Sequence, residues 1–95
     1  MRLKQKEIMV IKRFFKEIFK EGDIYLFGSQ VDDSKKGGDI DLYISTPNKE
    51  DIFLKKIKFA ARVSRELNFK KIDVVIDLGE NRLIDKIAKQ KGIKL

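Results

Sequence analysis

Asp39 and Asp41 stand two residues apart in Asp39-Ile40-Asp41-Leu42-Tyr43-Ile44, a segment that alternates polar and apolar positions. This is the strand period, so both carboxylates share one face, with Cα atoms roughly 7 Å apart. Carboxylates at that spacing can converge on Mg²⁺ or on a pair of metal ions. Without a cation they repel and raise one another's pKa. Aspartate is depleted in strands, and two in succession point to a role, although an isolated pair also fits a solvated charged sheet face. Asp73 lies in a second alternating segment, Lys71-Ile72-Asp73-Val74-Val75-Ile76-Asp77. Ile72, Val74 and Ile76 define its core face, and Asp73 and Asp77 share the other. Asp73 meets Asp39 and Asp41 if the strands are neighbours. Asp77 sits about 13 Å further along the strand, too far for one site to use both. A charge that protects a sheet edge is the other reading of either residue.

Gly28-Ser29 directly follows the apolar run Ile24-Tyr25-Leu26-Phe27. A glycine there lets backbone N–H groups approach a phosphate, and the serine hydroxyl adds a donor. Taken alone, the dipeptide reads as a plain strand-ending turn.

Composition narrows the chemistry. The chain has no cysteine and no histidine. Disulfides, cysteine nucleophiles, histidine bases and structural zinc sites are therefore excluded within it. The remaining reactive groups are carboxylates, lysines, arginines and hydroxyls, and carboxylates suit hard cations. Lys and Arg number 22 against 15 Asp and Glu, a formal charge of +7, spread along the chain and not gathered in one tract. No run is long and apolar enough to span a bilayer, and the charged N-terminus lacks a signal-peptide core. The expectation is a cytoplasmic protein without a membrane segment.

The elements that must position these residues follow from periodicity. Ile8, Ile11, Phe15 and Ile18 recur at helical spacing and predict a helix over Gln5 to Lys20, stopped at Gly22. Residues 24–27 and 39–44 predict two strands, separated by a long polar loop over Gln30 to Gly38. Thr46-Pro47-Asn48 supplies helix-start chemistry for a second helix over Lys49 to Leu67, with Phe53, Ile57, Ala60, Ala61, Ser64 and Leu67 as its inward stripe. Residues 71–77 predict a third strand. Asn81 to Lys91 predicts a short helix with Leu83, Ile84, Ile87 and Ala88 inward, and Ile93 to Leu95 can add an edge strand. At 95 residues one domain, 1–95, is expected. The order fits an α/β (α+β) two-layer sandwich, with a three- to four-stranded mixed sheet and helices packed on one face.

Apolar strand, Gly28-Ser29, a spaced Asp39-x-Asp41 and a later strand carrying Asp73 together resemble the DNA polymerase β-type nucleotidyltransferase superfamily. The small size is similar to its minimal nucleotidyltransferase (MNT) branch. The resemblance implies the nucleotidyltransferase fold and in-line transfer of a nucleoside monophosphate, AMP from ATP or another nucleoside triphosphate, to a hydroxyl. It implies two Mg²⁺ ions, replaceable by Mn²⁺, on Asp39, Asp41 and Asp73, with Gly28 and Ser29 holding the triphosphate. Many relatives carry arginines soon after Gly-Ser. Here Gln30-Val31-Asp32-Asp33 stands there, and Lys35 and Lys36 could supply the positive charge. Small MNT proteins are often antitoxin partners of HEPN-domain proteins, in some cases adding AMP to a tyrosine of the toxin.

Two further readings stand beside the enzyme. One is a nucleotide-binding protein with weak catalysis that neutralises a partner by contact. The other is a nucleic-acid binder, for which no helix-turn-helix, zinc finger or stacking motif is evident. A chain this short leaves little room for a separate acceptor domain, so an apolar patch away from the aspartates, on the first or last helix, is expected for homo- or hetero-association. If Ser29 grips the triphosphate, Ser29→Ala removes one hydrogen bond to a charged group, worth about 1.5–3 kcal/mol. ATP affinity measured by calorimetry should then fall roughly ten- to hundredfold with the melting temperature unchanged. Wild-type affinity in that variant would remove Ser29 from the site.

Overall fold

The computed structural model describes residues 3–28 and 38–95. In chain order the elements are α1 (Gln5–Phe19), β1 (Asp23–Phe27), β2 (Ile40–Ser45), α2 (Ile52–Glu66), β3 (Ile72–Ile76), α3 (Leu83–Lys91) and β4 (Ile93–Lys94). The four strands form one mixed sheet in the order β3-β2-β1-β4. β1 runs antiparallel to both β2 and β4, and β3 runs parallel to β2. This is the small α+β architecture expected from the sequence. Among the described residues no helix is long and apolar enough to cross a membrane.

α1 forms where its apolar spacing requires it. Ile8, Ile11, Phe14, Phe15, Ile18 and Phe19 are all buried. At its start the Lys4 N–H donates to Glu7 Oε1 at 3.1 Å, satisfying one of the amides that a helix leaves unpaired. At its end Lys20 turns left-handed (φ 71), and Gly22 (φ 116) passes against β2. A Cβ at Gly22 would lie 2.3 Å from the Ser45 carbonyl oxygen, so this turn accepts only glycine.

Ile40, Leu42 and Ile44 of β2 are fully buried, as are Leu26 of β1 and Phe59 and Val63 of α2. These side chains and the α1 stripe form one core between the sheet and the two long helices. The α2 stripe is not the expected one. Phe53, Ile57 and Ala61 are exposed; Leu67 is buried and Ala60 packs against the core as expected, and Ile52, Phe59 and Val63 join them on the inward side. α2 carries apolar residues on both sides, and contacts with α1 select the rotation. The Phe59 ring stands edge-on to Phe19 at 5.5 Å. The Arg62 guanidinium lies over Phe14 at 4.5 Å and 3.4 Å from Glu17. α2 also begins later than expected. Asn48 Oδ1 accepts the Glu50 N–H at 2.9 Å, a local turn that delays the helix.

α3 covers part of the opposite sheet face. Tyr43 is fully buried although it alternates with Leu42 and Ile44. Its hydroxyl donates to Asp85 Oδ1 of α3 at 2.8 Å, and its ring meets Tyr25, its cross-strand partner, edge-on at 6.1 Å. Leu83 and Ile87, expected inward, are exposed; Ala88 is buried as expected, and Asp85 is buried beside it. The reason is polar. Asp85 also accepts from the Arg82 N–H at 2.6 Å and from Arg82 Nη2 at 3.0 Å, and Arg82 Nη2 reaches the Ile76 carbonyl at 2.6 Å. This network pins α3 to β2 and β3 through a carboxylate.

Hydrogen bonds from Arg82 hold the Asp85 carboxyl down at about 2, from an ordinary 3.8, with Tyr43 assisting and burial opposing. A depressed carboxylate pKa stabilises the fold above the unfolded value, and that stabilisation is lost as pH falls through the folded value. Asp85→Ala should cost roughly 2–4 kcal/mol at neutral pH, since it also orphans the buried Tyr43 hydroxyl. Denaturant titrations of the two proteins should converge as pH falls from about 4 towards 2. A difference that does not depend on pH would show that packing, and not charge, anchors α3.

Candidate active site at the sheet end

The end of β1 and the start of β2 meet because the strands are antiparallel, with Phe27 opposite Asp41. On the other side of β2, the parallel register places Asp73 opposite Asp41. Register partners on neighbouring strands show their side chains on the same face. Asp41 and Asp73 are thus side by side, on the face opposite the main core. Asp39 lies two residues before Asp41 in the same phase, exposed, and its charge acts on Asp41.

The electrostatics follow from this crowding. Burial pushes the Asp41 carboxyl above its ordinary range. The negative charges of Asp73 and then Asp39 push in the same direction, as does a hydrogen bond with Asp73, and Lys71 opposes them. Lys71 Nζ lies 3.9 Å from Asp73 Oδ2. The sequence reading gave this lysine no role, yet its position two before Asp73 puts it on the same face of β3.

Gly28 closes the site from the β1 side. It is exposed, has φ +77, and a Cβ built on it would lie 2.3 Å from Asp41 Oδ2. Backbone conformation and close approach therefore both require glycine. Ser29, Lys35 and Lys36, the other residues expected to bind nucleotide, lie outside the described residues.

Asp77 belongs to a different arrangement. Its oxygens accept from the Gly79 N–H at 2.9 Å, from Lys89 Nζ at 2.9 Å and from Ser45 Oγ at 3.3 Å. The Gly79 hydrogen bond, followed by Lys89, holds its carboxyl below the usual range. It serves as a tie between β3, β2 and α3.

Residues 8–95 match the family model described as nucleotidyltransferase domain. The chain belongs to this family. No curated protein matches it significantly in sequence. The family match agrees with the superfamily resemblance carried by Gly28 and the three aspartates, and it makes nucleotidyl transfer the general chemistry of the domain. Among the described residues of this nucleotidyltransferase domain, no three His, Cys, Asp or Glu side chains are grouped so as to hold a metal ion. The adjacent pair, Asp41 and Asp73, nevertheless offers hard oxygen donors in a like-charge contact, and a divalent cation would relieve that contact.

The contact between Gly28 and Asp41 can be tested apart from activity. Gly28→Ala should destabilise the domain by about 1–2 kcal/mol through its left-handed backbone alone, with a further cost from displacing the Asp41 carboxylate. Measured by chemical denaturation, the substitution should cost less in an Asp41→Ala background. Equal costs in the two backgrounds would mean that only the backbone angle is at issue.

Proposed function

We propose that this domain transfers a nucleoside monophosphate, AMP from ATP, to a hydroxyl acceptor, with Asp39, Asp41 and Asp73 as the carboxylates that hold divalent metal. The observation that carries the reading is the register pairing of Asp41 with Asp73, beside a glycine that admits nothing larger, in a chain of the nucleotidyltransferase family.

The family generally works with divalent metal ions. The donor types suit Mg²⁺ or Mn²⁺, all being carboxylate oxygens, with two in adjacent register and a third whose charge acts on the pair; cations would have to draw the three together, since they are not grouped ready to hold a metal. When bound, such ions lower the pKa of an attacking hydroxyl and neutralise charge on the phosphates. The chain's own contribution is positional. Asp41, whose carboxyl is raised first by burial and then by the charges of Asp73 and Asp39, is a carboxylate that a cation would stabilise. Asp73 lies on the neighbouring strand beside it. Asp39, exposed just before β2, lies in the same phase as Asp41, and its charge already acts on that carboxyl. Gly28 and Ser29 would bind the triphosphate, with Lys35 and Lys36 adding positive charge. The acceptor we favour is a tyrosine of a HEPN-domain toxin, with this chain as its antitoxin. Support for that acceptor comes from the resemblance of the Gly28-Ser29, Asp39-x-Asp41 and Asp73 pattern to minimal nucleotidyltransferases.

The reading requires that ATP with Mg²⁺ or Mn²⁺ raise the melting temperature, because a ligand that binds only the folded state stabilises it. Asp41→Asn combined with Asp39→Asn should abolish that shift and reduce transfer of labelled nucleotide by at least a hundredfold. An undiminished shift in the double variant would place the nucleotide elsewhere. Neutralisation of a partner that survives these changes, with no transfer in the wild type, would favour binding by contact alone.

A further inference from the structure

α2 is apolar on two opposite sides. One side, Ile52, Phe59, Val63 and Leu67, is buried in the core. The other carries Phe53 at 56% exposure, Leu54 at 68% and Ile57 at 65%, followed by exposed Ala61. A helix that is apolar on its outer face as well ordinarily has that face covered. Leu54, Ile57, Ala61 and Ser64 follow one another at alternating steps of three and four, the spacing of a helix–helix seam.

The face is self-complementary. Its N-terminal end carries Glu50 and Asp51, and its C-terminal end carries Arg65, with Lys58 at its border. An antiparallel copy of the helix centred on Ile57 would bring Glu50 of each chain towards Arg65 of the other. It would also set the large Phe53 against the small Ala61 and pair helix ends of opposite dipole. A parallel copy would set acid against acid and base against base. Twofold pairing of identical surfaces is also the commonest form of self-association.

We propose that the outer face of α2 is a homodimer interface in which two copies pair antiparallel about Ile57. This inference does not depend on the catalytic reading. The aspartates lie on the sheet face that α1 and α2 do not cover, so both sites stay open in the pair. The interface is one helix long, short of the roughly 1,600 Å² of a standard interface, and the expected dissociation constant is on the order of 10–100 µM.

Sedimentation equilibrium of the full chain, from about 1 µM to about 1 mM, tests it. The wild type should move from monomer to dimer across that range. Ile57→Lys should raise the dissociation constant at least tenfold. Because Ile57 is exposed, circular dichroism and melting temperature measured on the monomer should stay as in the wild type. Glu50→Arg and Arg65→Glu should each weaken association, and the double reversal should restore it. A wild type that stays monomeric at 1 mM would overturn the proposal and leave the face to a different partner. A dimer unaffected by Ile57→Lys would overturn it by placing the contact elsewhere. Single reversals that weaken association without rescue in the double variant would overturn the antiparallel arrangement.

Discussion

The parallel pairing of β2 with β3 forces two like charges together. Asp41 and Asp73 are register partners, so neither can move away from the other without breaking the central ladder of the sheet. Residues further along the same strands, Leu42 with Val74 and Ile44 with Ile76, are core pairs on the other face. A slip of one residue in β3 would separate the carboxylates, but it would also turn Val74 and Ile76 out of the core. Hydrophobic burial on one face thus fixes electrostatic repulsion on the other. Burial energy spread over many side chains is ample to hold a contact that costs a few kcal/mol at most.

The aspartate face of the sheet is itself divided. At one end, Asp39, Asp41, Asp73 and Gly28 are left partly or fully open. Towards the other end, Tyr43 is sealed under α3 by Asp85 and Arg82, and Asp77 is tied to Ser45, Gly79 and Lys89. The carboxylates on this face therefore have two fates. Asp77 and Asp85 meet cations and N–H donors and are held low, whereas Asp41 is pushed up by burial and then by the neighbouring carboxylates. The open end is where carboxylates crowd one another, with Lys71 as the cation beside them, and such crowding is the property expected of a site that recruits ions from solution.

Much of this could be read from residue types and spacing. Alternation in residues 39–44 and 71–77 gave both strands and the phase of each aspartate, since period two leaves only two choices of face. The α1 stripe was equally clear because, Met9 apart, its exposed side is polar. α2 was ambiguous for a physical reason. With Ile52, Phe53, Leu54, Ile57, Phe59 and Val63 spread around the helix, periodicity admits more than one inward face, and only Phe14, Phe19 and Glu17 of α1 choose between them. α3 misled because a buried carboxylate is rare. Asp85 is inside only because Tyr43 and Arg82, distant in sequence, satisfy it. The uninterrupted run Leu42-Tyr43-Ile44 was the available signal that β2 is covered on both sides. Lys71 could have been found from its phase, two residues before Asp73.

Among the described residues, β3 forms one border of the sheet, with β2 on one side and no strand on the other. Such a border exposes a row of backbone N–H and C=O groups that can template the addition of a foreign strand. Lys71, Asp73 and Asp77 punctuate that border with charge, and a strand arriving there would have to desolvate them. Asp73 therefore has a second use. Besides standing next to Asp41, it helps keep the rim of the sheet from recruiting other chains. Replacing it with an apolar residue would remove part of that protection, so the solubility of the protein and the chemistry of its site constrain the same position.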